Sequence, residues 1–121
     1  MLMPNVECLE SYSGMEYFYR IERQASIQTY QMDAFFPEAN FDYMTIDVQG
    51  YELEVLKCGG RNVSNLLGMH VEVSFVEKYK GQPLFRDVDR YLAFRDFTFH
   101  CFTGYGTRSP RKIMTERSSV N

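Results

Sequence analysis

Before Gly50 the chain carries a single glycine, Gly14. A glycine-rich turn after a first strand, the usual cradle for a nucleotide-like cofactor, is therefore missing from this stretch. Basic charge is not in excess either. The formal net charge is −3, which argues against a general nucleic-acid binder. No apolar run approaches the roughly 18 residues that span a membrane. The opening MLMPNVECLE has neither a basic n-region nor a long apolar h-region. No secretory signal is read there, and the expected location is the cytoplasm. Cysteine is sparse: Cys8, Cys58 and Cys101 are odd in number and far apart, with no CxxC pair. That spacing excludes a disulfide scaffold and a Cys/His metal centre and predicts free thiols. Repeats and low-complexity tracts are lacking too.

What is present is enough for one small domain. The chain has 121 residues, of which 45% are hydrophobic, so a core can be buried and disorder by composition is excluded. Residues 1–15 read as irregular, broken by Pro4, Ser11, Ser13 and Gly14. Met15 to Arg23 is rich in aromatics and reads as a strand. Ala25 to Tyr30 reads as extended. Met32 to Phe36 starts a short helix that Pro37 stops.

The richest stretch runs from Phe41 to Gly60, FDYMTIDVQGYELEVLKCGG. Tyr43 to Val48 reads as a strand apolar on both faces, as in a parallel sheet covered by helices. Asp47 sits at its carboxyl end, the edge where open α/β sheets bind ligands. Gly50 to Lys57 reads as a helix. Glu52 and Glu54 near its start and Lys57 near its end suit the helix dipole, and Gly59-Gly60 supply the stop. Leu53, Leu56 and Val55 are assigned to the sheet-facing side. Arg61 to Leu67 is a turn or short helix.

Met69 to Val76 alternates apolar and polar residues and reads as a second strand, with Glu72 in an apolar frame. After a loop at Glu77 to Gln82, Pro83 opens an amphipathic helix carrying Leu84, Phe85, Val88, Tyr91 and Leu92 to about Arg95. Phe97 to Phe102 alternates again and predicts a third strand. From Gly104 the chain turns polar and basic, a loop or tail with Arg108, Arg111, Lys112 and Arg117. The order strand, helix, strand, helix, strand implies the α/β class with a parallel sheet.

Several of these motifs together resemble the second half of an FkbM-type methyltransferase domain. They are Met32-Asp33-Ala34-Phe35, Thr45-Ile46-Asp47-Val48-Gln49-Gly50, Tyr51-Glu52-Leu53-Glu54-Val55-Leu56-Lys57-Cys58-Gly59, Val71-Glu72-Val73-Ser74 and Tyr79-Lys80-Gly81-Gln82. Phe97 to His100 extends the match, and the resemblance covers roughly residues 27 to 112. It implies a Rossmann-like methyltransferase sheet represented by its strands four to six with flanking helices. The N-terminal cofactor-binding strands and the closing strand expected after residue 112 are not evident. The whole chain is then a single partial domain, with residues 1–26 and 113–121 unassigned. Three positions depart from the family pattern. Gln49 replaces the usual Glu, Thr45 a frequent Lys, and Asp96 a Gly that closes the last helix.

The resemblance implies methyl transfer from S-adenosylmethionine to a hydroxyl of a sugar, polyketide or similar acceptor. Nucleic acid and membrane are not expected partners. The missing strands leave room for a homo-oligomer or a complementing chain, or for a non-catalytic remnant. Asp47 is the first candidate, as a general base or as a contact to cofactor or substrate; the plainer alternative is a helix cap on the turn before Gly50. Gln49 is the second cofactor contact. Glu52 either orients Asp47 or is a dipole-favoured helix acid. Glu72 is costly in an apolar frame unless paired, which makes it a site candidate; on an exposed edge it is merely solvated. His70 and His100 are read as structural, Asp33 as a turn or cap, and Gly50 as a close approach of helix and strand. No metal is expected.

Overall fold

The computed structural model describes residues 2–15 and 19–111. Seven elements follow in chain order: α1 (Val6–Glu10), α2 (Met32–Phe35), β1 (Tyr43–Ile46), α3 (Glu52–Cys58), α4 (Gly60–Ser64), β2 (Gly68–Val71) and α5 (Phe85–Ala93). The molecule is a mixture of helices and strands with a small parallel sheet, order β1-β2. Tyr43 pairs with Gly68 and Ile46 with Val71. The Leu67 and Gly68 N–H groups open the ladder on the Asp42 carbonyl, and the Glu72 N–H closes it on that of Ile46. In a parallel pair the residues between these point their backbone groups the other way. Tyr43 and Thr45 thus present an unpaired edge among the described residues.

The core forms where β1 meets the helices. Ile46, Leu53, Leu56, Val63 and Val88 are buried together, with Met44, Val55, Met69, Val71 and Val73 packed around them. Leu53 and Leu56 face this core as the helical spacing predicts. Burial of a Leu of this kind is worth about 2–3 kcal/mol. β1 itself is covered on one face only. Met44 and Ile46 point inward, whereas Tyr43 and Thr45 are exposed. The expectation of a strand buried on both faces is corrected: α3, α4 and α5 supply one layer.

The α3–α4 junction is shaped by glycine. A Cβ on Gly59 would lie 2.1 Å from the Val63 side chain, so only glycine lets the two helices meet there. α4 is capped from a distance by Asp33 on α2. Its carboxylate accepts the N–H of Arg61 at 2.8 Å and that of Asn62 at 3.0 Å. The Asn62 side-chain amide adds a third bond at 2.7 Å. The cap assigned to Asp33 is therefore real, but it serves a helix 28 residues further on.

α5 starts after Leu84, whose N–H is accepted by the Asp87 carboxylate at 2.9 Å. Tyr91 reaches back to the Leu56 carbonyl at 3.3 Å. The helix ends in a Schellman arrangement: the Phe97 N–H bonds Leu92 and the Asp96 N–H bonds Ala93. Asp96 takes φ 65° to do this. The turn is kept although glycine is not there.

Other expectations are corrected. β2 stops at Val71, short of Val76. Its partner β1 has ended at Ile46, so Val73 packs on the core with no strand to pair with. Phe97 to Phe102 forms no strand. Phe99 and Phe102 stack with ring centroids 4.8 Å apart. Residues three apart fall on opposite faces of a strand, so that contact is incompatible with one. The rings instead gather with Phe85 and Phe75, at 5.5 Å and 5.7 Å. The N-terminal stretch is not wholly irregular, since Val6–Glu10 is α1, capped by Asn5. It is tied down by Asn5 N–H on Lys78 and Lys80 N–H on Met3, at 2.9 and 2.8 Å. Of the strand expected over 15–23, residues 16–18 lie outside the described residues, and 19–23 hold no strand. Lys112, Arg117 and the closing strand also lie outside them. Among the described residues the cysteines are free, and no helix is long and apolar enough to cross a membrane.

Candidate functional site

β1 ends on the buried Ile46 and the chain then leaves the sheet through Asp47, Val48, Gln49 and Gly50. Two consecutive residues have positive φ, Gln49 at 54° and Gly50 at 98°. That pair makes the sharp reversal into α3. Gly50 suits it without strain. A Cβ there would also lie 3.1 Å from the side chains of Tyr79 and Gln82. The close approach at Gly50 is thus to the 79–82 loop and not between helix and strand.

Glu52 holds the turn together. It is 5% exposed, and its Oε1 accepts the N–H of Val48 at 3.1 Å and of Gly50 at 3.0 Å. A buried carboxylate is tolerable when backbone donors meet it. The role weighed for Asp47, capping this segment, belongs to Glu52, which acts from inside the helix. Asp47 makes no cap and its side chain is free to face outward.

Asp47 instead meets Gln49 and Glu72. The Gln49 amide nitrogen donates to Asp47 Oδ1 at 2.7 Å and lies 3.4 Å from Glu72 Oε2. Lys78 Nζ stands 3.8 Å from the other oxygen of Glu72. Asp47, Glu52 and Glu72 each offer an oxygen within 4.8 Å of the others. Three acids and one nearby ammonium leave the locus acidic. Partial burial pushes the Glu72 carboxyl above the usual range, helped by its hydrogen bond with Asp47 and the charges of Asp47 and Glu52. Lys78 works in the opposite direction. All three catalytic candidates and the Gln49 contact are thus brought together. His70 and His100 are not: His70 Nε2 pairs with the Thr103 hydroxyl at 2.9 Å, and both are exposed.

Four further residues frame the site without having been named as site candidates. Tyr79 borders it, its hydroxyl pushed up first by burial, then by the neighbouring Tyr19, Glu72 and Glu52 charges. The Tyr19 ring meets the Tyr79 ring edge-on at 5.3 Å. Gln82 is buried, accepts the Tyr79 N–H at 3.2 Å and donates to the buried Ser74 hydroxyl at 3.1 Å. Lys78 is the fourth. The motif Tyr79-Lys80-Gly81-Gln82 was the available signal for two of them. A separate open groove lies between α3, α5 and the 77–84 loop, lined by Leu53, Gln82, Leu84, Arg90 and Tyr91. None of the three acids lines it.

Carboxylates at a strand tip accept hydrogen bonds from hydroxyl or ammonium groups, and an ionised one takes a proton from an alcohol as a bond forms to its oxygen. Comparison with known families finds a match over residues 7–101 to the model described as the Methyltransferase FkbM domain. Comparison with curated proteins and with solved structures gives no match.

Proposed function

The chain belongs to the FkbM methyltransferase family, and on that footing we propose that it is the acid-bearing part of a methyltransferase that uses S-adenosylmethionine to methylate a hydroxyl oxygen. The observation that carries this is the Asp47–Gln49–Glu72 constellation beside the carboxyl end of a parallel strand. The cofactor's ribose hydroxyls and ammonium are the groups that such carboxylates recognise, so these residues fit part of it. Bound there, it would supply an electrophilic methyl group from its sulfonium, the sulfur–methyl bond breaking to leave a neutral thioether.

The chain's own residues do the rest. Asp47 accepts the proton of the acceptor hydroxyl while the oxygen gains its methyl group. Glu72, with its raised proton affinity, shares that proton. Glu52 keeps the turn in place, and Gln49 completes the contact. The sheet is the Rossmann-like type, with β1 and β2 in the places of strands four and five. The glycine-rich turn comes from a further segment or a complementing chain, whose strand lies against the free edge of Tyr43 and Thr45. The acceptor is a sugar, polyketide or similar small molecule, and the setting is cytoplasmic.

The test is methyl transfer from isotopically labelled S-adenosylmethionine by the complete domain, with a panel of hydroxylated acceptors. Label recovered as a methyl ether is expected. Transfer to nitrogen or carbon only, or no transfer by a domain that binds the cofactor, would refute O-methylation. Calorimetry on the 121-residue chain alone should show weak or no cofactor binding. Micromolar binding would reveal a cofactor cradle within these residues.

A further inference from the structure

Gln49 is out of place by ordinary backbone rules. It is not glycine, asparagine or aspartate, yet it takes φ 54° on an exposed turn. Left-handed backbone is unfavourable for such a residue, and glycine would relieve it. A side chain held there against its preference has something to hold. Its amide nitrogen lies between two carboxylates, 2.7 Å from Asp47 Oδ1 and 3.4 Å from Glu72 Oε2. The two acids follow different strands, β1 and β2, and the Gln49 to Glu72 contact spans 23 residues of sequence.

We propose that Gln49 is a positioning residue: its amide clamps Asp47 and Glu72 into one unit and sets how that unit shares a proton. This rests on the site described above and adds a control element to it. The surroundings explain why a donor is needed. Asp47, Glu72 and Glu52 crowd together, with Lys78 3.8 Å from Glu72 and the Tyr79 and Tyr19 rings alongside. Two carboxylates at this range repel when both are ionised. An amide nitrogen between them lowers that repulsion without adding charge. The amide oxygen in the same place would raise it, which settles the side chain's orientation. Lys78 reaches only the far oxygen of Glu72, so it does not replace the bridge. Burial already drives Glu72 toward its protonated form. Gln49 works against that shift by donating to the ionised form.

Two variants test this on the folded, unliganded chain, by following the carboxyl carbons of Asp47 and Glu72 with NMR across pH. Gln49→Gly removes the amide and relaxes the backbone. Its melting temperature should equal or exceed that of the parent, while the Glu72 midpoint rises by about half a pH unit or more, because a donor to the anion is gone. Gln49→Glu keeps the shape and exchanges the donor for another acid. Its Glu72 midpoint should rise further than in the glycine variant. Wild-type midpoints in both variants would overturn the proposal, as would a lowered melting temperature in Gln49→Gly with unchanged midpoints, which would make Gln49 a turn residue only. The titration needs neither cofactor nor turnover. Failure of the methyl-transfer assay therefore leaves this result standing, and the reverse holds as well.

Discussion

Two carboxylate clusters in this small chain are built from the same parts and do opposite things. Asp33 faces the start of α4, where two backbone N–H groups and an amide converge on it. Its hydrogen bonds from Asn62 and Arg61 pull the carboxyl below its usual range. Glu72 faces Asp47 and Glu52, with one shared amide and a distant ammonium. Its carboxyl is pushed up, first by burial and then by its contact with Asp47. A carboxylate whose donors outnumber its rivals is a structural clasp. One whose rivals outnumber its donors binds its proton more tightly and is suited to taking one up.

The largest stability effect expected belongs to neither acid but to the one between them. Glu52→Ala orphans the N–H groups of Val48 and Gly50 and should cost about 3 kcal/mol in chemical denaturation. Glu52→Gln keeps an acceptor and should cost clearly less. Equal losses would mean that charge, not the acceptor, holds the turn.

The pH dependence of melting should separate the clusters next. For Asp33 the folded value is lowered, so its stabilisation is present above its ordinary value of 3.8 and is lost as pH falls through the lowered one. Asp33→Ala should lower the melting temperature near neutral pH and flatten the loss in acid. For Glu72 the folded value is raised, so its contribution is complete below its ordinary value of 4.5 and disappears as pH rises through the raised one. Glu72→Gln should hold the neutral form and raise the melting temperature at neutral pH slightly. The same pH profile for both variants would erase the contrast.

A smaller effect tests the end of α5, remote from both acids. Asp96→Gly should stabilise by about 0.5–1 kcal/mol, because glycine takes φ 65° without the side-chain penalty. No gain in denaturant midpoint would show that the Asp96 side chain repays its conformation.

Local pattern and pairing differ in how far they can be read from residues. β1, α3 and α5 were legible because hydrophobic spacing, end charges and Gly59 all agreed. Asp33 was legible as a cap but not in its target, since α4 lies beyond the next strand. The family match begins at residue 7, where no motif stood out, and α1 was hidden among the breakers that flank it. Phe97 to Phe102 misled because alternation is a local signal, whereas a strand needs a partner, and the rings found each other instead. Asp47, Glu52, Glu72 and Gln49 were the candidates in the sequence, and the fold brings them together. The division of labour was not legible, because which acid meets the Val48 and Gly50 N–H groups depends on a turn with two positive φ angles. Gln49 gave no sign of the first of them.

The contrast between clasp and reactive acid is tested most directly by one pair of variants in the complete domain, Asp47→Asn and Asp33→Ala, each measured for methyl transfer and for melting. Asp47→Asn should lower turnover by roughly 10²-fold or more, the scale of a lost general base. Its folding should change by no more than about 1 kcal/mol, as the side chain is exposed and the turn is held by Glu52. Asp33→Ala should melt earlier yet turn over normally per folded molecule. A fully active Asp47→Asn enzyme, or an Asp33→Ala enzyme that folds well but no longer transfers methyl groups, would contradict the account.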